Sequence, residues 1–598
     1  MSEKRLLSFQ LKSNYLKSIV NSISEIGPAL KSKVKYVVLF LLLSLIWLPL
    51  AFLNFDSHHD GLILSTVRLT KQSLLNGGEY PFNQYGPFWA TPFLVISFLA
   101  SDEYLFLAMR FLTIGFYLIS SLILFKSSKL FLTRNAWIPP ALFLASQPFV
   151  SDIGSDLVPW PSAVAMPLIL LLFHNALLCL KAEEKIQHPF LLGFLVPLIL
   201  FTRFQVGVLS LTGVLLVLLY CHKKRNYLWF LFGLTASFLI TFLILLRLGW
   251  LSSALYDELV FGLTYLSADK STFPRPIFTF IGIVLVVSAL SCLSSMRANT
   301  LWLSKRGKYI IFLIASTALA FFIYVIWTRD LNFLSIQVLI TRRIWIVLTL
   351  GTLTYYLLKT GFDAVRGSSG FRVFLRVHKE TIVLLIFAVV MQSQAYPLFD
   401  QMHFWWGSPI SFLVVTLVVR NLASDIKVSH RIKRYCIFLL TFLLTFSLIV
   451  PWFNQITKQK VEYPSVVGAK IYSKYSAALE QKQLQIFFRV NMDAGSSILN
   501  LCDDTNVFFS APKYIPASRF FVFWAEQMSH TDIILSAMRD SSPDYIVSCD
   551  LTHAPGLRFQ QEKIRDQIVE SFGQKIALSA TFLGPENKKW FIYQVSNK

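Results

Sequence analysis

Apolar positions fall in long unbroken runs, and the first, Tyr36 to Phe55, matches the about 20 mostly apolar residues a helix needs to cross a bilayer. Twelve further runs lie near 104–125, 136–150, 162–180, 189–202, 206–221, 227–247, 277–296, 309–327, 337–358, 381–397, 408–423 and 435–453, which makes thirteen spans. The stretch around 189–221 is too long for one helix and short for two, and Thr202-Arg203-Phe204-Gln205 interrupts it. It reads as two short helices meeting at Arg203. Basic clusters at Lys126–Arg134, Lys223–Arg225, Arg297–Lys308, Arg366–Lys379 and Lys427–Arg434 then share one side of the membrane with Lys4, Arg5, Lys12, Lys17, Lys31, Lys33 and Lys35. Positive charge collects on the cytoplasmic side, so the N-terminus is expected there and Arg203 near the outer face. Phe9, Tyr15, Leu16, Ile19, Val20, Ile23 and Ile26 recur at helical spacing, which suits a helix lying on the inner membrane surface. The apolar run after the basic region is too long for a cleavable signal peptide and lacks a small-residue cleavage site.

An odd number of spans puts the chain beyond 454 outside. Its pattern changes there: Ser497–Cys502 and Asp544–Cys549 read as short strands, 532–539 and 562–572 as helical, and Gly584-Pro585-Glu586-Asn587 as a hairpin turn. Three parts follow: a basic amphipathic N-terminus at 1–35, a transmembrane region at 36–454 whose first outer loop is 56–103, and a small extracytoplasmic α/β domain at 455–598. No GxGxxG, P-loop, internal repeat or low-complexity tract is present.

Composition agrees with an α-helical polytopic membrane protein. Of 598 residues 55% are hydrophobic and only 15% charged, against about 25% charged in soluble domains. The net charge of +22 invites a nucleic-acid reading, but residues 455–598 hold 16 basic and 14 acidic side chains, which leaves +20 to residues 1–454. That charge is concentrated in short loops between spans and is therefore topological; no nucleic acid is expected. Six cysteines form no CxxC or Cys/His cluster, and whether Cys502 and Cys549 pair in the tail is open.

Polar residues at the membrane edge are costly and therefore informative. Ser57-His58-His59-Asp60-Gly61 follows the first span directly, and Leu62, Ile63, Val67 and Leu74 after it suit an interfacial helix. Asp60 is open to two readings: a base or cation ligand at the membrane edge, or a solvated loop acid beside two histidines. Asp156, in Ser151-Asp152-Ile153-Gly154-Ser155-Asp156, is either a second carboxylate for the same pocket or part of a helix cap before Pro159. Arg203, Arg329, Arg342 and Arg343 sit at outward ends of spans, where a guanidinium can clamp phosphate or snorkel to the interface. Tyr396 to Pro409 carries Asp400 and His403, three apart, with Trp405 and Trp406 as belt aromatics or more.

In order and context these residues resemble the GT-C superfamily of polytopic glycosyltransferases, especially relatives of the lipid A aminoarabinose transferase and the protein O-mannosyltransferases. The resemblance rests on His58-His59-Asp60-Gly61, then Asn83-Gln84-Tyr85-Gly86-Pro87, then the Pro397 to His403 to Pro409 segment, with about thirteen spans and an outer C-terminal domain. It covers the membrane region and not the tail. It implies inverting transfer of a hexosyl or pentosyl group from a polyprenyl-phosphate donor to an envelope glycan, lipid or protein acceptor, at the outer face of the inner or plasma membrane. Asp60 is then the acid of the first loop, as general base or as organiser of a divalent cation, with Asp156 as second acid. His59, Tyr85, Arg203, Arg342, Arg343, Asp400 and His403 are expected to bind substrate, the arginines and His403 at the departing lipid phosphate. Relatives often carry paired acids in the first loop, whereas one Asp follows two His here, so the cofactor is either none or a divalent metal at Asp60, His59 and His403. A lipid-linked sugar flippase or other transporter is the competing reading, although its charges are expected at the bilayer midplane.

Overall fold

The computed structural model describes residues 41, 45, 47–53, 59–83, 85–132, 135–146, 157–181, 185–221, 223–261, 379–395, 401–425, 461–462, 472–473, 475–493, 495–502, 508, 515–517, 519, 542–549, 566–567, 570–571, 576–583 and 589–596. The expected spans near 277–296, 309–327, 337–358 and 435–453, the helix at 9–26 and the helical pattern at 532–539 lie outside the described residues.

The chain begins with α1 (Leu48–Ala51), α2 (His59–Asn76), α3 (Thr91–Leu99), α4 (Leu105–Ser128) and α5 (Ile138–Ser146). Then come α6 (Pro161–Leu180), α7 (Gln187–Leu200), α8 (Phe204–Cys221), α9 (Lys224–Arg247) and α10 (Leu251–Leu255), which runs into a π-helical turn at Tyr256–Phe261. The bundle continues with α11 (Lys379–Gln392), a 3-10 turn at Ser393–Ala395, α12 (Gln401–Trp406) and α13 (Pro409–Asp425). Among the described residues, α4, α6, α8 and α9 are long and apolar enough to cross a membrane. Shorter apolar helices, α7 and the first part of α13, stand beside them.

Lipid is as apolar as leucine, so helices in a bilayer pair by close packing rather than by hiding apolar surface. The pairing of α7 with α9 shows this directly. A Cβ on Gly193 would overlap the Phe230 carbonyl oxygen, and one on Gly233 the Phe190 carbonyl oxygen, so two glycines facing each other let the backbones touch. The opposite face of α9 is exposed apolar surface, with Leu228, Leu231, Leu239 and Leu243 all more than half exposed. α7 and α8 meet at Thr202-Arg203, as the interruption in the apolar pattern predicts.

The C-terminal part holds β1 (Val461–Glu462), β2 (Tyr472–Ser473), α14 (Tyr475–Asn491), β3 (Ser497–Leu501), β4 (Ile515–Pro516), β5 (Tyr545–Cys549), β6 (Ile576–Leu583) and β7 (Lys589–Val595). Five strands form one sheet in the order β4-β3-β5-β7-β6, parallel across β4, β3 and β5 and antiparallel across β5, β7 and β6. The buried centre is β5, whose five residues are all covered. Leu501 pairs with Ser548, which brings the next residues, Cys502 and Cys549, together as a disulfide with Cα atoms 5.4 Å apart. α14 packs by Trp590 Nε1 donating to Glu480 Oε1 at 2.5 Å.

This domain is tied to the membrane region at separate points. Tyr472 N–H donates to Phe52 O at 2.8 Å, the Arg68 guanidinium to Phe508 O at 3.3 Å, and Phe82 N–H to Arg519 O at 2.8 Å.

Candidate functional site

Asp60 lies in the first turn of α2, where the unpaired amides of a helix start favour negative charge. Its Oδ2 accepts from Arg110 Nη2 at 3.0 Å, and both side chains have no solvent exposure. The same guanidinium donates through Nη1 to the carbonyl oxygens of Ala51 (3.0 Å) and Leu53 (2.9 Å), and its Cζ lies 4.4 Å from the centre of the Phe106 ring. Asp60 is thus the buried half of an ion pair, and the alternative of a solvated loop acid is wrong: Arg110, seated on the spanning helix α4, draws it in.

Asn83 organises the second sequence motif. Its Oδ1 accepts from Tyr85 N–H (3.1 Å) and Trp89 Nε1 (2.9 Å), while Nδ2 donates to the Tyr80 hydroxyl at 3.0 Å. Gly86 is required by its surroundings, because a Cβ there would overlap both the Phe201 carbonyl oxygen and the Glu258 carboxylate. The Tyr85 ring is left edge-on to Trp160 (5.4 Å between centres) and 5.9 Å from the Arg203 guanidinium.

Arg203 is 2% exposed at the junction of α7 and α8. Its Nη1 donates to the Ser162 hydroxyl and to Gln394 O at 3.1 Å. Gln394 Nε2 in turn donates to Trp406 O at 3.3 Å. His403 on α12 is buried edge-on to Trp406 (5.1 Å) and Trp160 (6.4 Å). Tyr85, Arg203 and His403, drawn from widely separated segments, therefore share one polar and aromatic cluster around Trp160. Trp406 Nε1 donates to the Tyr117 hydroxyl at 3.0 Å, and Tyr117 lies seven residues beyond Arg110 on α4, about 10 Å along the helix axis. Trp405 and Trp406, 4% and 1% exposed, are core residues of this cluster and not belt aromatics.

Asp156, Arg342, Arg343 and Asp400 lie outside the described residues, and His59 is placed only as backbone at the start of α2. Among the described residues no three His, Cys, Asp or Glu side chains gather as a metal site. The carboxylate of Asp60 faces the Arg110 guanidinium, and the ring of His403 stands edge-on to Trp406.

Four residues of this region escape a reading of the sequence. Arg110 interrupts an otherwise apolar run, a signal that marks a buried function in a span. Asp257 and Glu258 are adjacent acids beyond the C-terminal end of α9, and Arg519 has no local signal at all. Arg519 donates to both Asp257 oxygens, at 2.6 and 3.1 Å, and Asp257 Oδ2 also accepts Asn83 N–H at 3.1 Å. Burial pushes the Asp257 carboxyl up to about 6, against the pull of Arg519 and the Asn83 amide. Burial, and next the charge of Asp257, push Glu258 well above the usual carboxylate range, while Phe204 N–H at the start of α8 opposes the shift.

No protein-family model and no curated protein matches the sequence. Among solved structures the chain is similar to the archaeal oligosaccharyltransferase AglB of Archaeoglobus fulgidus in complex with an inhibitory peptide and a dolichol-phosphate. The TM-score is 0.49 at 10% identity, over 94% of this chain and 74% of that one. The apo form from the same organism gives a TM-score of 0.46 at 11% identity over 86% and 69%. ArnT from Cupriavidus metallidurans bound to undecaprenyl phosphate gives 0.35 at 11% identity over 94% and 97%. AglB and ArnT are both GT-C membrane glycosyltransferases.

Proposed function

We propose that the chain is an inverting membrane glycosyltransferase that moves a sugar from a polyprenyl-phosphate donor to an envelope glycan, lipid or protein acceptor at the outer face of the membrane. The observation that carries this reading is the meeting of Tyr85, Arg203 and His403 in one cluster, joined through the Trp406–Tyr117 hydrogen bond to α4, the helix whose Arg110 holds the buried acid Asp60. The order of the sequence motifs supports it independently.

In this reading the lipid tail of the donor stays in the bilayer and its phosphate reaches the Arg203 end of the bundle. The acceptor oxygen attacks the anomeric carbon from the face opposite the phosphate, and the bond from that carbon to the phosphate oxygen breaks. Arg203 exchanges its hydroxyl and carbonyl partners for phosphate oxygens as negative charge grows there, with His403 as a further donor and Arg342 and Arg343 as proposed partners. Asp60 receives the acceptor's proton at a carboxylate oxygen, with Arg110 as the guanidinium partner at Oδ2. Asp156 is retained as a second acid, and Asp400 and His59 as substrate contacts, on the sequence motifs alone.

The test is envelope-glycan and lipid-linked sugar profiling of a deletion strain complemented with the wild-type chain, Asp60→Asn, or Arg203→Ala. Loss of one sugar from a surface glycan, accumulation of its polyprenyl-phosphate donor, and rescue by the wild type only are expected. Unchanged glycans with a lipid or solute building up inside the cell would move the assignment to a transporter.

A further inference from the structure

Three pieces of chain that are far apart in sequence converge at one guanidinium. Arg519 belongs to the C-terminal domain, Asp257 to the turn after α10, and Tyr80 to Asn83 to the loop after α2. Arg519 holds both carboxylate oxygens of Asp257 in a two-point ion pair, which fixes angle as well as distance. Its Nη1 also lies 3.4 Å from Tyr80 O, and its own carbonyl accepts Phe82 N–H at 2.8 Å. Asp257, 1% exposed, passes the restraint on by accepting Asn83 N–H, and Asn83 Oδ1 accepts Tyr85 N–H. An unbroken chain of hydrogen bonds therefore runs from the C-terminal domain to the residue whose ring faces Arg203.

We propose that Arg519 is a positioning residue through which the C-terminal domain sets the Tyr80–Gly86 loop, and so the ring of Tyr85, at the sugar-transfer site. This rests on the transferase reading of the Arg203 cluster. Arg519 is not a catalytic residue: it touches the loop and Asp257, and acts through Asn83. The tail is then neither a bare cap nor solely an acceptor module, because the geometry of the membrane site depends on its docking.

The test uses the full chain in lipid nanodiscs, as wild type, Arg519→Ala, Arg519→Lys, and Lys71→Ala as a control, since Lys71 pairs with the half-exposed Asp102 at 3.8 Å. Amide hydrogen exchange and sugar transfer from polyprenyl-phosphate donors are measured on the same preparations. Arg519→Ala is expected to quicken exchange over residues 80–90 and to lower kcat/KM about tenfold to a hundredfold, the range of a small misplacement of a reacting group. Arg519→Lys keeps the charge but loses the fork and is expected to fall between the two, while Lys71→Ala changes neither readout. Unchanged exchange over 80–90 in Arg519→Ala, or quickened exchange with wild-type transfer, overturns the positioning role. If the wild type transfers no sugar from any donor tried, the transferase reading fails instead, and exchange alone decides whether Arg519 holds the loop.

Discussion

Asp60 and Arg110 bury opposite charges completely against each other, so replacing one strands the other. Breaking such a pair costs about 3–5 kcal/mol, so Asp60→Asn is expected to abolish transfer and also to lower the unfolding temperature. The double variant Asp60→Asn/Arg110→Gln separates the two effects: stability is expected to recover in part while transfer stays absent, and transfer by the double variant would remove Asp60 from the mechanism. At Asp257 stability and activity part company. Its carboxyl rises from 3.8 to about 6 on folding, so the folded chain holds this proton more tightly, and stability from this group falls as pH climbs from about 4 to about 6. Activity moves the other way, because protonation below about 6 weakens the pair with Arg519. The groups facing Asp257 are Arg519, Glu258, Tyr80 and Tyr256. Transfer is expected to decline below pH 6 in the wild type, and Asp257→Asn is expected to flatten that limb at a lower plateau. Tyr85, Arg203 and His403 are legible in the sequence because polar residues among apolar runs are conspicuous. Asp257 is not, because its significance comes from a partner 262 positions away.

At the scale of elements, composition and length carry most of the reading. The helices α4, α6, α8 and α9 each coincide with an apolar run, since a bilayer admits few other solutions. The break between α7 and α8 is visible as Thr202-Arg203 because a charged residue cannot continue the apolar pattern. α14 goes unnoticed, as its charged and amide residues mask a modest apolar face built on Leu484 and Phe488. Helix pairing is equally invisible, for Gly193 and Gly233 gain meaning only when they face each other. Gly193→Val is expected to push α7 from α9 and cost more than 1 kcal/mol, the scale of overpacking, measurable as a lower unfolding temperature in detergent. Gly115 on α4 meets nothing within 4 Å where a Cβ would sit, so Gly115→Ala is the matched control and is expected to be tolerated.

For the whole molecule, the disulfide between Cys502 and Cys549 ties β3 to β5 at the centre of the C-terminal sheet. Closing a 47-residue separation contributes about 4 kcal/mol by chain entropy, so Cys502→Ala/Cys549→Ala is expected to melt this domain early while the membrane helices persist. Circular dichroism with and without reductant reads that difference. The clamp at Arg519 also has a consequence in time. Asp257 leaves the ribosome 262 residues before its counterion, which at about 5–20 residues per second is a wait of about 13–52 s. Throughout that interval the acid must remain hydrated or protonated, and the loop beside it is not yet tethered. On the proposed function, a chain arrested before Arg519 is expected to sit in the membrane with its Tyr80–Asn83 loop untethered, and so to transfer sugar more slowly than a chain that carries the clamp.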